Sequence, residues 1–166
     1  MPVVSARPIS EQIATKLFDR IHLLAADFTA STSVSEVIRP VRMGGFTPKH
    51  LQIVVTQSDP EEVPELFVPG NPPAIAYRQR FNIRCHIMPS EKDPTPFDEY
   101  ANTMTADVVK AVTHVGATWF TFDGLAIDAR WESREFIDAD GGVDGINVPL
   151  SITYRTSEYD PYAVRV

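Results

Sequence analysis

The stretch that most constrains the fold is residues 74–87, AIAYRQRFNIRCHI. Tyr77, Phe81, Ile83, Cys85 and Ile87 fall on odd positions, and Arg78, Arg80, Asn82, Arg84 and His86 on even ones. Side chains alternate across a β-strand, so this stretch predicts a strand with one apolar face and one basic face. The apolar side needs a core beneath it. The basic side is unexpected in a chain of formal net charge -7, and it is the feature that any functional reading has to explain.

The remaining pattern supplies the core. In residues 9–28, ISEQIATKLFDRIHLLAADF, Ile9, Ile13, Leu17, Ile21 and Leu24 recur at spacings of four and three, the stripe of one helical face. Ser10 is the expected N-cap, and Glu11 complements the helix dipole. A second helix is expected from Thr95-Pro96-Phe97-Asp98, with Thr95 as N-cap and Pro96 in the first turn. Its buried stripe is Phe97, Tyr100 or Ala101, Met104, Val108, Ala111 or Val112, and Val115, and Gly116 ends it.

Extended pieces are expected at Glu36–Arg42, demoted to an edge or a bulge by Pro40, and at Leu51–Gln57. A hairpin is expected from Trp119–Phe122 through a turn at Asp123-Gly124 to Leu125–Trp131. Ile146–Arg155 alternates, with Pro149 again pointing to an edge or a bulge. Connections are expected at 30–35, at a Gly44-Gly45 turn and at 89–96. Long loops are expected at 58–73, which holds five prolines and four acids, and at 138–145, with a tail at 156–166 of no clear period. The order α-β-β-β-α-β-β-β predicts a single α+β domain over 1–166, with both helices on one face of a mainly antiparallel sheet. A chain of this length buries roughly 70% of its unfolded surface, enough for a core without staples.

Composition excludes several classes. A net charge of -7 lacks the footprint of a general nucleic-acid binder. Cys85 is the one cysteine, so there is no intrachain disulfide, and its place on the apolar side of the strand predicts a buried thiol. The first ten residues lack the apolar run of a signal peptide, and no stretch approaches the ~20 apolar residues of a membrane span.

Catalytic and metal patterns do not emerge. His22, His50, His86 and His114 show no i, i+4 zinc spacing. DADGGVDG places Asp138, Asp140 and Asp144 at positions one, three and seven of a calcium-loop count. Val143 stands where that loop needs glycine, and Pro149 where it needs glutamate. There is no G-x-S-x-G elbow, P-loop or G-x-G-x-x-G. No catalytic, cofactor-binding or metal-ligating residue is therefore expected.

Two readings of the basic face stay open. It is a solvated face that shields the sheet from aggregation, or Arg78, Arg80 and Arg84 meet carboxylates of a neighbouring copy. The candidates are Glu61, Glu62 and Glu65, or Glu132, Glu135, Asp138, Asp140 and Asp144. Arginine's planar donor fork suits such contacts.

A first helix opening ISEQIATKLFDRI, three strands with proline-rich connections, a second helix, a hairpin and a last strand ending PLSITYRTSEYDPY resemble the tail-terminator and tail-completion proteins of tailed bacteriophages. The resemblance runs over nearly the whole chain as element order. It implies a structural virion subunit without cofactor or catalytic residues. Such a subunit forms a ring, usually a hexamer, that caps the tail tube and joins it to a head-side connector or neck protein. DNA passes through without sequence-specific binding. The implied location is the virion tail or neck, after assembly in the host cytoplasm. The alternatives are another phage neck or connector protein, or a small cellular α+β enzyme or binding domain.

Overall fold

The computed structural model describes residues 7–25, 36–40, 49–87, 94–139 and 142–164. The expected loop at 30–35, the Gly44-Gly45 turn, most of the 89–96 connection and Asp140 lie outside them, as does the side chain of Asp144.

Among the described residues, two helices and eight strands form a two-layer α+β fold. Helix α1 is Ile9–Leu24 and helix α2 is Phe97–Thr113. The strands are β1 Glu36–Ile38, β2 Gln52–Gln57, β3 Glu61–Glu62, β4 Ala74–His86, β5 Asp128–Trp131, β6 Glu135–Ala139, β7 Gly142–Ser157 and β8 Asp160–Val164. The sheet runs β1-β2-β4-β7-β5. β3 extends the β2 edge of β4, and β6 and β8 flank β5 along the far edge of β7. The β1–β2 pair is parallel and all the others are antiparallel.

The alternation of β4 works as expected. Phe81, Ile83, Cys85 and Ile87 are fully buried, and Tyr77 packs partly against them. They meet Ile13, Leu17 and Ile21 of α1, and Met104, Val108 and Val112 of α2. β7 contributes Ile146, Val148, Leu150 and Ile152 to the same layer. Burying each such side chain is worth about 1.5–3 kcal/mol, so this one cluster holds the layers together. Burial pushes the Cys85 thiol up to about 12, which makes it an inert core group. Gln79 breaks the alternation. It sits on the apolar side, 2% exposed, with its amide donating to the Ser58 carbonyl at 2.8 Å.

Several boundaries differ from expectation. Pro8 caps α1 through its carbonyl, which accepts from Glu11 and Gln12, so Ser10 lies inside the first turn. Likewise Pro96, not Thr95, is the N-cap of α2. Gly116 does take the positive φ, +101°, that ends the turn after α2. The 58–73 loop is partly ordered by β3, a 3-10 turn at Pro64–Leu66 and a bridge between Val68 and Ala74.

The expected 119–131 hairpin does not form. Trp119–Thr121 is a 3-10 turn, and Phe122, Asp123 and Gly124 follow at φ +48°, +60° and +84°. Left-handed backbone curls the chain back and drops Phe122 into the core, fully buried. Contacts with α1 hold it there: Lys16 donates to Asp123 at 2.6 Å, and the Arg20 guanidinium lies over the Phe122 ring. Only Asp128–Trp131 remains a strand.

The C-terminal third is also more ordered than its composition implies. The 138–145 segment falls in a hairpin, as its glycines allow, and strand pairing reaches further into it than a long loop would permit, with Asp138 opposite Val143. Residues 156–164 finish β7 and return as β8, instead of trailing as a tail. Pro149 is in a central strand, not at an edge. Its carbonyl accepts from Glu132 at 3.0 Å in the gap between β5 and β6. The amide nitrogen and carbonyl of a strand residue point the same way, so the proline's missing N–H faces that gap and costs no ladder bond.

Candidate functional site

With both helices on the core side, the opposite face of the sheet carries the charged positions. The pairing registers arrange them in rows. One row runs Glu61, Arg78, Thr153, Asp128 across β3-β4-β7-β5. The next runs Arg80, Ser151, Arg130. Further along come Asn82 beside Pro149, and then Val54, Arg84, Asn147, Glu135.

The three arginines of β4 do different things. Arg80 is engaged within the chain. Its Nε donates to Glu132 at 2.9 Å and its Nη2 donates to Glu135. Asn147, 5% exposed, donates to Asn82 and to Glu135, both at 2.9 Å. The Asn147 amide and then the Arg80 guanidinium hold the Glu135 carboxyl below its usual range. Arg80 thus ties the β5–β6 junction to β4. Arg78 and Arg84 are exposed and make no ion pair or hydrogen bond among the described residues.

The carboxylates named from the sequence separate in the same way. Glu132 and Glu135 face Arg80 of their own chain. Glu61 stands directly across from Arg78, whereas Glu62, opposite Tyr77, lies on the other side of the sheet. Glu65 is on the Pro64–Leu66 turn, and Asp138 is exposed at the end of β6.

Around Arg78 the face is concave. The Pro64–Leu66 turn folds over the strands, anchored by buried Val63 and by Arg155, whose Nε donates to the Leu66 carbonyl at 3.2 Å. Between this turn and β5 lies an open cleft of about 620 Å3. Ser151 and Thr153 line it from β7, Arg78 from β4, and Asp128 and Arg130 from β5, with Glu65 on the turn side. Arg130 is oriented by Asp128, which accepts from its Nε at 2.6 Å, and its two terminal nitrogens meet no partner among the described residues. The polar side of β7 was legible as Ser151 and Thr153. The cleft was not, because it depends on where the 3-10 turn lands and on a β5 register set by tertiary contacts.

Among the described residues, no three or more His, Cys, Asp and Glu side chains are placed to hold a metal ion. His22 stacks on Phe18, and His50 meets the edge of Tyr100. No described helix is long and apolar enough to cross a membrane.

No protein-family model matches this sequence, and comparison with curated proteins gives no match.

Proposed function

We propose that this chain is a structural subunit of a bacteriophage tail, a tail terminator that assembles as a ring, a hexamer by the family resemblance, between the tail tube and the head or neck. The observation that carries the proposal is the division of labour on the outer sheet face. Arg80 is neutralised inside the chain, whereas Arg78 and Arg84 stand exposed without an ion pair or hydrogen bond among the described residues. A ring uses heterologous contacts, in which one patch of a subunit meets a different patch of the next. Exposed Arg78 and Arg84, together with exposed carboxylates elsewhere on the same chain, supply the complementary groups that such contacts need. The order of elements read from the sequence, which resembles that of the tail-terminator proteins, supports the same reading. Its partners would be its own copies, the tail tube protein and a head-side connector, with DNA threading the ring without sequence-specific contacts.

Native mass spectrometry and negative-stain microscopy of the purified full chain, alone and mixed with terminator-free phage tails, test the proposal. The expected result is closed rings, free or seated on tube ends. A chain that stays monomeric and leaves the tube ends bare overturns it.

A further inference from the structure

We propose that the cleft between the Pro64–Leu66 turn and β5 is the receptor for an acidic side chain of a second copy of this chain, with Arg78 as the principal contact. The inference rests on the ring reading above and names the contact that the ring would use.

Among the described residues, the Arg78 guanidinium meets no hydrogen-bond or ion-pair partner, and Asp128 takes only the Nε of Arg130. Their strands lie on either side of β7. At ~4.8 Å between neighbouring strands, their backbones are about 10 Å apart. The intervening floor carries the hydroxyls of Ser151 and Thr153. Two guanidinium groups over hydroxyls form a set of donors suited to an oxyanion, and arginine can engage a carboxylate through two parallel bonds.

The cleft's own carboxylates select the form in which the anion comes. Glu65 and Asp128 bring the lining close to neutral. A free small anion gains little there, because long-range attraction is cancelled. An aspartate or glutamate on a polypeptide gains the same short-range bonds and adds backbone and shape contacts along the open cleft. The chain itself is a ready source. It carries net charge -7, and Asp59, Glu61, Glu62, Asp98, Glu99 and Asp138 are all exposed. Glu132 and Glu135 are already engaged by Arg80.

The test uses Arg78→Lys, which keeps the charge and introduces an amine. Equal parts of unlabelled and 15N-labelled full-length variant are treated with a carbodiimide, which joins an amine to a contacting carboxylate as an amide. Native mass spectrometry reports the assembly state in parallel. The expected result is mixed-isotope peptides in which the introduced amine of one chain is joined to an Asp or Glu of another. Arg78→Glu should weaken association at least about tenfold, as truncating or reversing a central charged contact does. Arg78→Glu must retain the wild-type unfolding transition. Rings that form normally while the introduced amine links only within its own chain, to Glu61 or Glu65, or links to nothing, overturn this contact and leave the ring reading standing. A wild type that never assembles, alone or on tails, overturns both.

Discussion

The guanidinium carbon of Arg20 sits 4.3 Å from the centroid of the Phe122 ring. The same side chain, 7% exposed, donates to the Val112 carbonyl at 3.3 Å and to the Trp119 carbonyl at 2.8 Å. One arginine of α1 therefore closes the end of α2, the 3-10 turn and the left-handed turn after it. Arg20→Ala should destabilise the fold by about 2–4 kcal/mol, since it strands buried carbonyls and removes the cation over the ring. Arg20→Lys should recover only part of this, because an ammonium lacks the planar fork. Urea unfolding checks it. Trp119 and Trp131, stacked at 6.0 Å, provide a fluorescence signal from the neighbouring segment.

Gly145 faces the β4 backbone closely enough that a β-carbon would lie 2.2 Å from the Cys85 carbonyl oxygen. Backbone cannot yield as a side-chain tip can. Gly145→Ala should cost about 2–3 kcal/mol by forcing β4 and β7 apart. The check is a lowered denaturation midpoint with an unchanged slope.

Arg80 and Arg84 should behave differently although both stand on the same face of one strand. Arg80→Ala leaves Glu132 and Glu135 facing each other without their cation, and about 1 kcal/mol of stability should be lost. The figure is small because all three side chains are partly exposed and screened. Arg84→Gln should change stability by less than about 0.5 kcal/mol. Equal effects in thermal unfolding would contradict the assignment of Arg80 as the internal tie.

Acid should unfold the protein partly through three carboxylates. Hydrogen bonds from Arg39 to Glu11, from Lys16 to Asp123 and from Asn147 to Glu135 lead the causes that hold these groups below their ordinary values. A depressed folded-state pKa gives stability that is complete above the unfolded value, near 4. It is lost as pH falls through the folded value. Stability should therefore fall below about pH 4.5, and Glu135→Gln should flatten that decline while lowering stability at neutral pH. Urea midpoints at several pH values between neutral and strongly acidic test this.

Cys85 should resist alkylation in the folded protein, being fully buried with its thiol pushed up to about 12. Labelling should proceed only through unfolding, so destabilising variants such as Gly145→Ala should label faster in proportion to their raised unfolded population. Fast labelling of the stable wild type would show that β4 opens locally.

Local patterning determined much of this molecule. Period-two alternation over 77–87 specified which side of β4 meets the core, and the three-four spacing of Ile13, Leu17 and Ile21 specified the face of α1 that covers it. These signals survive folding because burial acts on each side chain where it stands, whatever the rest of the chain does. The polar side of β7 was legible for the same reason.

What tertiary structure alone decided depends on partners remote in sequence. Asp123-Gly124 has the composition of a hairpin turn, but Lys16, Arg20 and the core's demand for Phe122 curl residues 122–124 into a left-handed turn. Pro149 has the composition of an edge residue, but the gap between β5 and β6 accommodates its missing N–H in a central strand. The three arginines of β4 are equivalent as a pattern. Only the placement of Glu132 and Glu135 beside Arg80, and of the Pro64–Leu66 turn beside Arg78, makes one an internal tie and leaves another open to a partner. Charge is visible in a sequence, but whether it is neutralised depends on distance, and distance is set by the fold.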